Sequence, residues 1–235
     1  MEHVCIEKDD NMKLIVDSAD TIAIKKIMDY FPIRGVTTNP SIIAKSGRKP
    51  YEVLKEIRSI IGDKDLHVQV VSTKAEDMIE EAKKITSELG KHTFIKIPVT
   101  FEGVKAIKDL TAKGFNCTGT AVYTLQQAFM AAEAGAKWIA PYVNRIENVY
   151  GDGIKAVCDM QDLLENNGYD TKIVGASFHR IDQITGLAGY GVAAATVSPD
   201  LLLSLLDNEN VSGAVEKFTK DFENLCGNGS TMANL

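Results

Sequence analysis

The chain has 235 residues, 45% of them apolar and 25% charged, with a net charge of -6 at neutral pH and a pI near 5.3. That length supplies a sizeable core for one large domain or two small ones, and the acidic balance argues against a dedicated nucleic-acid or anionic-membrane binder. No apolar run approaches the roughly 18 residues of a membrane span, and the start "MEHVCIEKDDN" lacks the apolar core of a signal peptide, so the chain reads as a cytoplasmic protein whose partners are small molecules.

Short β-like runs alternate with amphipathic segments that carry recognisable helix ends. Residues 1–11 read as an appendage, because the pattern begins at Met12. The first run is "KLIVD" (13–17), and the second is "GVTTN" (35–39). Asn39 before Pro40 predicts a helix start, with proline in the first turn, where its missing N–H does no harm. "LHVQVVS" (66–72) leads into "STKAEDMIEEAKKITSELG", in which Thr73 and Glu76 suit a capping box and Gly90 a stop. "TFIKIPV" (93–99) is followed by "TFEGVKAIKDLTAKG", with Thr100 as cap and Gly114 at its end. The remaining runs are "FNCTGTAV" (115–122), "KWIAPY" (137–142), "KIVGASF" (172–178) and "GVAAATVS" (191–198), and "CGNGSTMANL" (226–235) reads as a loose tail. Eight such alternations predict a single-domain α/β protein, a (β/α)8 TIM barrel over residues 12–225. An open doubly wound sheet also alternates strands and helices, but no G-x-G-x-x-G follows the first run.

Lys96 lies in the middle of an apolar strand, on the same face as Phe94. An ammonium taken out of water is costly, so such a lysine either snorkels to solvent or has its pKa lowered because the neutral amine is needed. Taking Lys96 as inward, the same parity gives Asp17 after Ile15, Thr37 after Gly35 with Asn39 beyond, and Gln69 after His67. It also gives Thr120 after Thr118, Tyr142 after Ala140 and Ser177 after Gly175. Any one of these has a structural explanation as a cap or a packed ring. Together they would crowd polar groups around one lysine at the C-terminal mouth, where barrels place their chemistry. There a desolvated amine can attack a carbonyl, and the resulting Schiff base withdraws electrons so that a neighbouring C–C bond can break or form. The four cysteines (Cys5, Cys117, Cys158, Cys226) and four histidines (His3, His67, His92, His179) show no metal-ligand or C-x-x-C spacing.

The segments "VDSAD", "GVTTNPSIIAKSG", "VQV", "IKIPVT", "GTAVY", "AGAKWIAPYVNRI" and "GASF", in this order between about Met12 and Leu225, resemble the small transaldolase and fructose-6-phosphate aldolase family. The resemblance implies a (β/α)8 barrel, no metal or organic cofactor, Schiff-base formation at Lys96 and assembly into rings, commonly decamers. It implies that Asp17 contacts substrate hydroxyls and assists proton movement, with Thr37 and Asn39 as hydroxyl-binding neighbours. It further implies that Gln69 and Thr120 hold a catalytic water, that Tyr142 works with that water, and that Arg145 and Ser177 bind phosphate. Gln69 and Tyr142 resemble the aldolase subgroup, since transaldolases usually carry glutamate and phenylalanine there. His179 stands where relatives usually have lysine or arginine, and Arg180 follows it, which bears on phosphate affinity and acceptor preference. The implied activity is reversible cleavage of fructose 6-phosphate, or a similar ketose, to dihydroxyacetone and glyceraldehyde 3-phosphate. Transaldolase and a non-catalytic sugar-phosphate-binding barrel are the alternatives.

Overall fold

Eight short parallel strands close on themselves in the computed structural model, which describes residues 11–235. In chain order they are β1 (Lys13–Asp17), β2 (Gly35–Thr37), β3 (Asp65–Gln69), β4 (Thr93–Pro98), β5 (Cys117–Val122), β6 (Trp138–Pro141), β7 (Lys172–Gly175) and β8 (Ala194–Val197). Each pairs with its sequence neighbour, and β8 returns to β1 with Leu14 opposite Ala195. The alternation of strand and helix in the sequence thus gives the predicted TIM barrel. The intervening helices are α1 (Thr21–Tyr30), α2 (Pro40–Lys45), α3 (Pro50–Ile61), α4 (Ala75–Leu89), α5 (Phe101–Thr111), α6 (Leu125–Glu133), α7 (Val143–Tyr150), α8 (Gly153–Asn166), α9 (Ile181–Tyr190) and α10 (Pro199–Ser204).

The sheet is covered on both faces, so its strands read as almost unbroken apolar runs. Val16, Val36, Leu66, Ile95 and Ile139 are fully buried. Ile15, Phe94, Trp138, Ala140, Val174, Ala176 and Ala194 form a separate buried cluster, on which the partly buried Tyr142 packs. Val174 and Ala176 belong to that cluster, whereas a Cβ on Gly175 would meet Phe178 and Leu187. The inward parity expected for Gly175 and Ser177 is therefore reversed on β7. Ser177 lies past the strand at φ 60, a left-handed conformation that turns the chain out of the alternation.

Three other boundaries differ from expectation. β2 stops at Thr37, short of Asn39, which starts α2 as its place before Pro40 predicts, its side chain accepting from the Ile42 N–H at 3.0 Å. β6 stops at Pro141, and Tyr142 makes only an isolated bridge to Ala176. The capping box of Thr73 and Glu76 does not form: α4 begins at Ala75, whose N–H donates instead to Glu102 Oε2 of α5 at 2.8 Å. A tertiary carboxylate thus satisfies a first-turn N–H in place of the local cap that the sequence suggested. Thr100 does cap α5, accepting from the Gly103 N–H at 3.0 Å. At Gly103 a Cβ would fall 1.9 Å from the Pro98 carbonyl oxygen, so glycine is what lets α5 start directly against the end of β4.

Residues Leu203–Leu235 form a second compact unit, containing helix α11 (Glu209–Cys226), which ends at Gly227 with φ 103. His3 and Cys5 lie outside the described residues; Cys117, Cys158 and Cys226 are free thiols.

Candidate active site

Lys96 sits on β4 with 4% of its surface exposed, and its Nζ donates to the Thr38 carbonyl at 3.1 Å. It does not snorkel. Burial lowers its pKa below the usual lysine range, opposed in smaller measure by the negative charge of Asp17. Asp17, at the end of β1, shows the complementary effect. Burial raises its pKa, while Lys96 and a hydrogen bond from Thr37 act against that rise. Each group's charge favours the charged form of the other, while burial opposes both.

Thr37 is 2% exposed, and its hydroxyl donates to Asp17 Oδ1 at 2.6 Å and meets the Thr196 hydroxyl at 2.6 Å. It therefore orients Asp17 instead of standing free. Thr196 lies two residues after Ala194 on β8, where the inward alternation applied to the eighth strand would have found it. The Thr38 carbonyl, the acceptor for Lys96, carries no side-chain signal at all and emerges only with the backbone.

Gln69 lies beside Lys96 in the β3–β4 register, and Thr118 lies beside Lys96 on the other flank. One layer on, the hydroxyls of Thr120 and Tyr142 meet at 3.2 Å. The β5–β6 register slips between Gly119 and Val122, and Ala121 adopts φ 55. Gln127 holds that bulge by donating from Nε2 to the Val99 and Ala121 carbonyls at 3.1 and 3.3 Å. Bulges next to sites re-aim side chains, and here the one that follows Thr120 carries it toward Tyr142.

Hydrogen bonds link Asp17, Thr37 and Thr196, with Lys96 in the field of Asp17, and join Thr120 to Tyr142 in a second set, while Gln69 lies alongside Lys96 in register. Arg145, exposed on α7, stands over the Tyr142 ring at 4.7 Å. A hydrogen bond with the Tyr123 side chain is the main cause of its raised pKa. Ser177 reaches the start of the same helix, its carbonyl accepting from the Asn144 N–H at 3.1 Å. His179 is exposed and its backbone N–H donates to Gln183 Oε1 at 2.9 Å. Arg180 is held by Glu147 and Asp182 at 2.7 and 2.9 Å, so it does not stand in as a free cation beside His179. No group of three or more His, Cys, Asp or Glu residues among the described residues is arranged to hold a metal ion.

The family described as Transaldolase/Fructose-6-phosphate aldolase matches residues 14–234. The chain belongs to this family. Transaldolase/fructose-6-phosphate aldolase members are enzymes of aldolase and transaldolase type. Two solved structures are similar in fold. One, a native KDPGal structure, is 16% identical with a TM-score of 0.57, over 81% of this chain and 83% of the other. A racemase from Streptomyces coelicolor A3(2) with bound magnesium is 18% identical with a TM-score of 0.53, over 81% of this chain. The match spans only 53% of that racemase's length. At these identities the likeness concerns the barrel alone.

Proposed function

We propose that this family member is a metal-independent class I aldolase that reversibly cleaves fructose 6-phosphate, or a similar ketose, to dihydroxyacetone and glyceraldehyde 3-phosphate. The observation that carries the reading is the buried Lys96 amine, its pKa lowered, in the field of the Asp17 carboxyl. The neutral amine attacks the ketose carbonyl, one proton is taken up and water leaves, giving an iminium at Lys96. Asp17 takes the proton from the hydroxyl beside the scissile bond, the C–C bond breaks, and its electron pair moves into the iminium as an enamine. Protonation of that carbon and hydrolysis of the imine release dihydroxyacetone. Gln69, Thr120 and Tyr142 are assigned to the water and proton of this last stage, and Asn39 to the substrate hydroxyls. Arg145 and Ser177, with His179 nearby in sequence, are assigned to the phosphate.

Two measurements test the reading. Borohydride added with dihydroxyacetone should fix an adduct on Lys96, located by mass spectrometry; an active preparation with Lys96 unmodified would promote the binding-barrel alternative or another mechanism. Product analysis with fructose 6-phosphate, with and without erythrose 4-phosphate, separates lyase from transferase. Transaldolase remains the second reading because the matched family covers both activities.

Asp17 gives a prediction with opposite signs at two steps. Its charge raises the Lys96 pKa, so Asp17→Asn should lower that pKa further and move the acid limb of imine formation to lower pH. Cleavage of the C–C bond should meanwhile slow by about 10²–10⁴-fold, the usual contribution of a general base. Trapping rates across pH, set beside cleavage rates, check both. An acid limb that moves upward would contradict the assigned pairing.

For Arg145→Ala we expect KM for glyceraldehyde 3-phosphate to rise roughly tenfold to a hundredfold, the value of a lost charge-assisted hydrogen bond of about 1.5–3 kcal/mol. Unphosphorylated aldehydes should show a much smaller change. Equal losses for both classes would mean that Arg145 acts through its stack on Tyr142 instead.

Homo-oligomeric assembly belongs to the same proposal. Helix α11 buries none of its residues, and Val211, Val215, Phe218 and Leu225 lie exposed along one helical face. Such a stripe is suited to a second copy of the chain. Among the described residues no helix is long and apolar enough to cross a membrane.

A further inference from the structure

Beneath the layer of Gln69 and Lys96 the barrel interior holds a histidine that the proposed chemistry does not use. His67 is fully buried on β3 and stacks on Phe94 with ring centroids 4.7 Å apart. Its Nδ1 lies 3.0 Å from the Thr118 hydroxyl, whereas its Nε2 is buried without a partner. Two residues further along the same face, the Gln69 carboxamide oxygen is also buried without a partner, although Gln69 as a whole is only partly buried. Two buried polar atoms left without partners are costly. Native interiors meet such groups with internal water.

His67 and Gln69 share one face of β3, their backbone positions about 6.6 Å apart, and a water that bridges two polar atoms spans roughly 5.6 Å, twice a normal hydrogen-bond length. Polarity supplies the rest. The buried Thr118 hydroxyl has Nδ1 as its hydrogen-bond partner and satisfies its own proton by donating to it, which places the ring proton on Nε2; a bridging water then accepts from Nε2 and donates to the Gln69 oxygen. Burial, together with the charge of Lys96, pushes the His67 pKa down to about 3, so the ring stays neutral.

We propose that His67 is a positioning residue: as the Nε2–H tautomer it holds an internal water against the Gln69 carboxamide oxygen, which leaves the Gln69 amide as a hydrogen-bond donor toward the reacting groups. The inference rests on the reading of the Lys96 mouth as a Schiff-base site for its catalytic consequence, but not for its tautomer. His67 thereby decides which end of Gln69 meets the water or substrate in the dihydroxyacetone-releasing stage.

The first test reads the tautomer without turnover. In protein carrying His3→Gln, His92→Gln and His179→Gln, His67 is the only histidine left. Its ¹⁵N ring resonances should report neutral Nε2–H throughout roughly pH 5 to 8, the window in which an ordinary histidine titrates. A neutral Nδ1–H form, or a ring that protonates in this window, overturns the proposal. Because no substrate is involved, the result decides on His67 even where borohydride finds no imine at Lys96.

The second test is a double-mutant cycle on the rate of dihydroxyacetone release. His67→Phe keeps the stack on Phe94 and should slow release about tenfold in the wild-type background, with KM for the ketose little changed. In a Gln69→Ala background the same substitution should have almost no effect, because residues acting through one another are non-additive. Equal losses in the two backgrounds would show that His67 matters only to packing, and would overturn the assignment.

Discussion

Lys96→Met is expected to lower aldol cleavage by about 10⁴–10⁶-fold, the range seen when a covalent nucleophile or its close partners are removed, and to abolish borohydride labelling at that position. Methionine matches the length of the lysine stem, so the apolar walls around β4 lose little packing. What disappears is the amine that donates to the Thr38 carbonyl and opposes the Asp17 charge. Removing Lys96 removes a cause that lowers the Asp17 pKa, so Asp17 should titrate at a higher pH in the variant than in the wild type. Carbon-13 carboxyl shifts of Asp17 across pH measure this directly. An unchanged Asp17 titration would mean that the two groups do not share a field, and full turnover by Lys96→Met would end the Schiff-base reading altogether.

The lysine was visible in the sequence because strand parity is a strong constraint: Phe94 and Lys96 must share a face, and an apolar run with one ammonium in it demands an explanation. The same rule carried Asp17, Gln69 and Thr120 to the mouth. It failed where the chain leaves the strand. β7 ends at Gly175, and the left-handed Ser177 puts the residues beyond it outside any alternation. Asn39 and Tyr142 likewise sit just past strand ends, where a helix start and an isolated bridge fix their direction. Local capping chemistry was a mixed guide: Thr100 caps α5, whereas the N–H at the start of α4 goes to Glu102 on another helix. A short-range signal cannot reveal a partner that is distant in sequence. The Thr38 carbonyl shows the limit most clearly, since every residue has one.

Of the two non-glycine residues with positive φ among the described residues, Ala121 follows Thr120 and Ser177 is itself assigned to the site. Each such conformation costs on the order of 1–3 kcal/mol and persists only where its surroundings hold it. At Ala121 the Gln127 carboxamide is that restraint, and the Tyr123 N–H returns to its Oε1 at 2.8 Å. The Gln127 side chain therefore fixes the backbone between Thr120 and Tyr123, two of the residues that touch Tyr142. The geometry of the Tyr142 hydroxyl is built by the bulge and not by Tyr142 alone.

Tyr142→Phe is expected to shift the balance between releasing the three-carbon unit and transferring it. The substitution keeps the ring on which Arg145 stacks at 4.7 Å and the edge contact with Tyr123 at 5.6 Å, so only the hydroxyl that meets Thr120 is lost. A tyrosine hydroxyl with an ordered water can deliver a proton to the carbon of the lysine-bound enamine, a step phenylalanine cannot assist. Release of free dihydroxyacetone should therefore slow by about 10²–10⁴-fold, the usual worth of positioned acid–base help. Transfer to erythrose 4-phosphate needs no such protonation of the enamine carbon, so it should survive better. The quantity to measure is the ratio of sedoheptulose 7-phosphate formed to dihydroxyacetone released, in wild type and variant of equal oligomer size. That ratio should be low in the wild type and rise in Tyr142→Phe. A ratio that does not change removes Tyr142 as the determinant, and a wild type that already transfers faster than it releases makes transaldolase the better description of the activity.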